Sequence, residues 1–283
     1  MKVALLGEPE TGKSSYLVAL YGALVNDKGG ALTLEGVDDE VGFLNAGLQA
    51  MTELRRVDRT DLDGRVRAVL RLQSPSGPFE LDAPDRSGEL LKRMINGRRW
   101  DEELRRIAPL TDAALLFLHP LRLVPGDSAH AAGDLLQGRG EAAQPAAEED
   151  PVRWDPSLMP ADVRAVDLLQ ELLVVRNRPL PVGIIVSAWD RVDGDRWTPE
   201  TWVTERVSLL EQYLATNADA FPHIYFGVSA QGLDFEFAST TDEELRTQDP
   251  WDRARTVRGD GGVASLAAPL LWLAEQQVEV VSG

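Results

Sequence analysis

The chain has 283 residues, 43% hydrophobic and 27% charged, so a sizeable core can form without disulfide or metal staples. With 46 acidic and 29 basic residues the formal charge is −17, which argues against a nonspecific grip on nucleic acid or on an anionic membrane surface. Cysteine is absent, and the three histidines (His119, His130, His223) do not stand at ligand spacing, so thiolate chemistry is excluded and a histidine zinc site is not expected.

The first residues, Met1 to Glu8, hold too short an apolar run for a secretory leader, and the longest apolar run, Leu266 to Ala274, is far too short to cross a bilayer. The expected location is the cytoplasm. Lys2–Leu6 reads as a short buried strand, followed by a Gly-rich turn and a helix over Ser14–Val25. Helical spacing recurs over Phe43–Arg56, through Leu44, Leu48, Met51 and Leu54. Arg65–Leu72 alternates as a half-buried strand does, and the turn Ser74-Pro75-Ser76-Gly77-Pro78 predicts a hairpin partner at Phe79–Asp82. Leu90–Ile107 reads as a charged amphipathic helix, and Ala113–Leu118 as a central strand buried on both faces.

From Pro125 to Pro160 the composition turns to Gly, Ala, Pro and acid, which predicts an insertion that is largely loop or disordered. A helix over Asp162–Val175, a strand at Pro181–Val186, a helix over Pro199–Leu214 and a strand at Ile224–Val228 follow. Leu233 to Gly262 reads as irregular and polar, and Val263–Val278 as a closing helix. Alternating strands and helices predict one α/β domain over residues 1–283. Its central sheet is mostly parallel with one antiparallel hairpin strand, and helices cover both faces.

Gly7-Glu8-Pro9-Glu10-Thr11-Gly12-Lys13-Ser14 matches G-x-x-x-x-G-K-[ST] between the first strand and the first helix. Such a loop wraps an anion with successive N–H groups at a helix N-terminus, so Gly7, Glu10, Thr11, Gly12, Lys13, Ser14 and Ser15 are candidates for phosphate binding. Lys13 reaches the β- and γ-phosphates there, and the Ser14 hydroxyl ligates Mg²⁺.

Three further segments extend the site. Asp85-Arg86-Ser87-Gly88-Glu89 fits the D-x-x-G of switch proteins, in which the Asp sits near Mg²⁺ and the Gly N–H meets the γ-phosphate; Asp82, which ends the strand directly, is the competing acid. Ser187-Ala188-Trp189-Asp190 stands where such proteins carry N/T-K-x-D, whose Asp reads the guanine edge; Ala188 replaces the Lys, and Trp189 offers an aromatic surface. Ser229-Ala230-Gln231-Gly232 is similar to the S-A-K segment that reads guanine O6 by backbone N–H. A switch threonine for Mg²⁺ is expected before the second strand, where Thr60 fits better than Thr33 or Thr52.

In this order the segments resemble a translation-factor or Ras-type GTPase domain. With Leu116-Phe117-Leu118-His119-Pro120 and Gly227-Val228 they resemble, more closely, the bacterial double-GTPase family over nearly the whole chain. The resemblance implies a Ras-like P-loop fold and a GTP/GDP switch with Mg²⁺. It also implies a bacterial defence or signalling system in which one such GTPase is encoded beside another. A protein partner (a second GTPase, an effector or an activating protein) and a homo- or heterodimer are expected on the same ground. Two features depart from ordinary G proteins. The base motif lacks its Lys, and Glu89 stands where many have a water-orienting Gln, so that it is either a base or a cause of slow turnover. No arginine finger is assignable: Arg86, Arg93, Arg98 and Arg99 read as a solvated helix face, and a partner would supply that charge. The competing expectations are a P-loop ATPase, in which Asp190 is merely structural, and a non-catalytic nucleotide-binding adaptor.

Overall fold

The computed structural model describes residues 1–39, 41–55, 67–84, 97, 108–122, 159–232 and 247–282. The amphipathic helix expected at Leu90–Ile107 and most of the Pro125–Pro160 insertion lie outside the described residues.

The apolar period of two along the strands decides the layering. In the first strand, β1 (Lys2–Leu6), Val3 and Leu5 join one core cluster while Ala4 and Leu6 join the other. The next buried strand to pair with it, Ala113–Leu118, divides in the same way: Ala113, Leu115 and Phe117 to one side, Ala114, Leu116 and Leu118 to the other. A sheet buried on both faces needs helices on both, and that is what the chain supplies.

In chain order the elements are β1, α1 (Lys13–Val25), β2 (Thr33–Asp39), α2 (Val41–Thr52), β3 (Arg67–Ser74), β4 (Gly77–Pro84), β5 (Ala113–Leu118), α3 (Ala161–Arg176), β6 (Val182–Ser187), α4 (Pro199–Arg206), α5 (Ser208–Thr216), β7 (His223–Ser229), α6 (Pro250–Arg253), β8 (Arg255–Arg258), β9 (Val263–Ala264) and α7 (Ala268–Ser282). Among the described residues nine strands form one sheet in the order β2-β3-β4-β1-β5-β6-β7-β8-β9. The five central strands from β4 to β7 are parallel. Both edges are antiparallel, β2 and β3 at one and β8 and β9 at the other. Leu20 and Leu24 of α1, Leu44 and Met51 of α2 and Leu270 and Leu273 of α7 pack on one face. Leu168, Leu169 and Leu172 of α3, Trp202 of α4 and Leu210 and Leu214 of α5 pack on the other.

The α/β class, the hairpin β3–β4 and all six expected strands are present, and the structure adds three strands. β2 carries Gly36 and acids in place of an alternating pattern, because as an edge strand it pairs on one side only, with β3. At Gly36 the absent side chain leaves room for the half-exposed Arg71, which crosses it to pair with Asp38 at 2.7 Å. β8 and β9 fall in and beside the stretch read as irregular, joined by a turn in which Gly261 adopts φ 91°. The closing helix accordingly begins at Ala268 rather than Val263. The helix read over Pro199–Leu214 is two helices, broken at Val207, whose φ −134° and ψ 46° lie outside the helical region. α4 starts as its sequence suggests, with Pro199 at the first turn and Thr198 and Thr201 closing a capping box.

The turn that follows β6 comes close to β7 at one glycine. Gly227 in β7 lies under the Trp189 ring, and a Cβ there would stand 2.3 Å from the ring's Cδ2. Gly227→Ala is expected to cost about 1–3 kcal/mol by overpacking, read as a lower midpoint in urea denaturation.

Candidate functional site

The C-terminal ends of the parallel strands gather four loops at one end of the sheet, where open α/β folds bind ligands. The loop after β1 is the phosphate-loop motif. Its turn requires glycine twice: Gly7 has φ 138° and Gly12, which precedes α1, has φ 88°. Space forbids a Cβ at Gly7 and leaves only a tight fit for one at Gly12. A Cβ at Gly7 would lie 2.8 Å from the Phe117 carbonyl oxygen of β5, and one at Gly12 would lie 3.0 Å from Cβ of Ser187 at the end of β6. The loop is therefore wedged against β5 and β6. Glu10 also takes a left-handed conformation, φ 63°.

Within the loop, Lys13 donates Nζ to the carbonyls of Gly7 at 2.8 Å and Glu8 at 2.6 Å, and Thr11, nearly buried, donates Oγ1 to Glu8 O at 2.8 Å. The first intrahelical bond of α1 runs from Tyr16 N to Gly12 O at 2.9 Å. The amides before it, at Gly12, Lys13, Ser14 and Ser15, are those that a helix leaves to an anion. Ser14 and Ser15 are half-buried in that first turn.

The loops after β6 and β7 touch each other. Ser229, 2% exposed, donates its hydroxyl to Asp190 Oδ1, and Asp190 itself is exposed. Ser187, buried, donates Oγ to Leu118 O at 3.0 Å, which ties the end of β6 to the end of β5. Ala188 turns the chain with φ 46°, and this sends Trp189 inward onto Gly227 while Asp190 faces out. Trp189, expected to lend an aromatic surface to the site, thus packs with the core on the α3, α4 and α5 side. Ala230 and Gln231 are half-buried just past β7. His119, past β5, accepts from Leu121 N at Nδ1. Burial and the Arg191 charge hold its imidazole below the ordinary value, against the opposing pull of Asp190.

Gly7, Glu10, Thr11, Gly12, Lys13, Ser14, Ser15, Ser187, Asp190, Ser229, Ala230 and Gln231 therefore stand at one end of the sheet, in the loops after β1, β6 and β7 or in the element ends that flank them. Thr60, Asp85, Gly88 and Glu89 lie outside the described residues. β4 ends at Pro84, the residue before Asp85, and Asp82 is an interior strand residue paired with Ala4 and Val69, only 5% exposed. Among the described residues no group of three or more acidic or histidine side chains is placed to hold a metal ion.

One residue of the site region was not legible in the sequence. Arg253, at the end of the four-residue helix α6, is 1% exposed. Its Nε donates to Gln231 O at 2.9 Å, Nη1 to Gln248 O at 2.8 Å and Nη2 to Met51 O in the last turn of α2. One guanidinium thus ties the loop after β7 to α2, and burial holds it below its ordinary pKa. Gly232, at φ 76°, admits the Arg253 backbone, whose carbonyl oxygen would be 2.2 Å from a Cβ. A lone Arg in a polar stretch carries no signal for this role, which requires fixing partners distant in sequence.

The sheet order, with the G-x-x-x-x-G-K-S loop between β1 and α1, defines a Ras-like P-loop fold. The model of the family described as Double-GTPase 1 matches residues 4–273, and the chain belongs to that double-GTPase family. No curated protein matches it. Among solved structures, it is similar to the crystal structure of a probable GTP-binding protein engB. Identity is 16% over 89% of this chain and 99% of that one, with a TM-score of 0.35. It is also similar to the signal recognition particle receptor SRb-GTP/SRX complex from Chaetomium thermophilum, at 14% identity over 89% and 96%, with a TM-score of 0.40. Superposition this loose adds no argument to the topology. No helix among the described residues is long and apolar enough to cross a membrane.

Arg253→Met is expected to lower the unfolding free energy by about 1–3 kcal/mol, because the buried Met51 carbonyl and the half-buried Gln231 carbonyl lose a charged donor. Chemical denaturation followed by tryptophan fluorescence measures it.

Proposed function

We propose that this chain is a single-domain, cytoplasmic guanine-nucleotide switch that binds GTP or GDP with Mg²⁺, hydrolyses GTP slowly, and changes its affinity for a protein partner with nucleotide state. The observation that carries the reading is the pairing of two sites at one sheet end: the Lys13 phosphate loop after β1, and Asp190 bonded to Ser229 across the loops after β6 and β7. The first suits a polyphosphate. The second offers an outward carboxylate, held by a buried hydroxyl, to the N–H edge of a purine. Membership of the double-GTPase family supports guanine over adenine.

Gly7 to Ser15 would cradle the phosphates through backbone N–H groups, with Lys13 on the β- and γ-phosphates. Ser14 offers a hydroxyl in the first turn of α1, which suits Mg²⁺, an ion that takes few protein oxygens and keeps water and phosphate ligands. Thr60 and Asp85 are the further residues proposed to hold it, and the ion would neutralise charge on the phosphate oxygens. Gly88 would meet the γ-phosphate, and Glu89 would orient the attacking water. Ser187, Trp189, Ala230 and Gln231 would shape the base end: Trp189 from behind by fixing the turn that aims Asp190, Ala230 and Gln231 by backbone N–H. The partner is proposed to be a second GTPase, an effector or an activating protein of a bacterial defence or signalling system. It would supply the catalytic cation in trans, and dimerisation with a like domain suits that arrangement.

Calorimetric titration with GTP, GDP and ATP in Mg²⁺ tests the reading: GTP and GDP bind and ATP does not. ATP binding as tight as GTP would transfer the chain to the ATPase reading that Ala188, standing in place of the motif Lys, leaves open. Lys13→Ala is expected to lose at least about tenfold in nucleotide affinity, on the order of 1.4 kcal/mol; unchanged binding would remove the phosphate site. Asp190→Ala is expected to weaken GTP more than ATP, because a charged hydrogen bond to the base is lost. Equal loss for both nucleotides would remove its base-reading role.

A further inference from the structure

Glu8 is an unexpected residue to find inside a loop that wraps a polyanion. Its carboxylate does not face the loop alone. Arg164, in the first turn of α3, donates Nε to Glu8 Oε1 and Nη2 to Glu8 Oε2 at 3.2 Å, a forked, charge-assisted contact. The third arm of the guanidinium, Nη1, donates to Met159 O just before α3. The pair is shielded: the Arg164 side chain is 17% exposed and that of Glu8 35%. The backbone of the same residue is also engaged, since Glu8 O accepts from Lys13 Nζ at 2.6 Å and from Thr11 Oγ1 at 2.8 Å. Glu8 therefore carries the phosphate-loop lysine on its carbonyl and a guanidinium on its carboxylate.

A triphosphate in this loop would meet a fixed negative charge one residue from Gly7, in a partly desolvated setting where like charges repel far more than in water. Arg164 cancels that charge and draws it toward α3. We propose that Arg164 is a positioning residue for nucleotide binding: by neutralising Glu8 from outside the loop, it lets the loop amides and Lys13 present net positive potential to the phosphates. The inference rests on the phosphate-site reading above and adds to it a charge balance that the loop motif does not contain.

The sign of two variants separates this role from simple fastening of α3 to the loop. If the pair only fastens, removing either partner weakens nucleotide binding alike. If it balances charge, the two move in opposite directions. Arg164→Ala leaves an uncompensated carboxylate beside the phosphates. Glu8→Gln keeps an acceptor for Arg164 but leaves the guanidinium uncompensated. GTP carries one more negative charge than GDP, so both effects are larger for GTP, and both shrink as salt screens them.

The experiment is calorimetric titration of the full chain with GTP and GDP in Mg²⁺, at low and at physiological salt. It covers the wild type, Lys13→Ala, Arg164→Ala, Glu8→Gln and the double variant Arg164→Ala/Glu8→Gln. Arg164→Ala is expected to weaken GTP by about tenfold, Glu8→Gln to tighten it, and the double variant to return within about threefold of wild type. Weakening by both single variants, unchanged GTP affinity in Arg164→Ala, or a double variant no better than Arg164→Ala would overturn the proposal. Should Arg164→Ala melt below the assay temperature, Glu8→Gln decides by its sign alone. A wild-type chain that binds neither nucleotide removes the phosphate-site reading and this inference together. Wild-type binding that is lost in Lys13→Ala, with the two single variants moving the same way, removes the charge balance and leaves the phosphate site standing.

Discussion

The arrangement of the candidate site depends on one backbone constraint: the loop after β1 passes close to β5 and β6 in a conformation that suits glycine at Gly7 and Gly12. The Phe117 carbonyl oxygen leaves no room for a Cβ at the first, and Ser187 leaves only a tight fit at the second. Both glycines also hold positive φ, which residues bearing a Cβ adopt only with strain. Pressed into that position, the loop folds over Lys13, whose ammonium is held by the carbonyls of Gly7 and Glu8. The same wedge aligns α1, so that its open N-terminal amides face the end of the sheet.

The loops after β6 and β7 are fixed by a close approach at Gly227. Absence of a Cβ there lets the Trp189 ring lie on β7, and the left-handed Ala188 turns the chain so that the Asp190 carboxylate faces outward, where buried Ser229 holds it. Trp189 itself packs in the core on the α3, α4 and α5 side. Loops from β1, β6 and β7 are in this way fixed to a common platform of parallel strands, and Arg253 extends the platform to α2.

Charge sets the second theme. Although the chain carries a formal charge of −17, cations stand at this end of the molecule on carbonyls and carboxylates: Lys13 on two loop carbonyls, Arg164 on Glu8, Arg253 on three carbonyls. Net charge governs long-range attraction, whereas a partly buried cation a few ångströms from its partner acts with little screening.

The sequence alone determined the layered α/β class, the six strands whose apolar residues alternate or run unbroken, and the phosphate loop. These signals are local: a period of two, a turn dipeptide, a glycine before a helix. It also put Asp190 just past one buried strand and Ser229 at the end of the next, and the structure bonds the two. Tertiary structure decided the rest. The edge strands β2, β8 and β9 owe their existence to a neighbour's free hydrogen-bonding edge and not to their own pattern, so Gly36 and the acids around it gave no strand signal. The direction of Trp189, the burial of Arg253 and the pairing of Glu8 with Arg164 join residues from 22 to 202 positions apart. Contacts of that span depend on which surfaces the sheet brings together, and no window of sequence contains both partners.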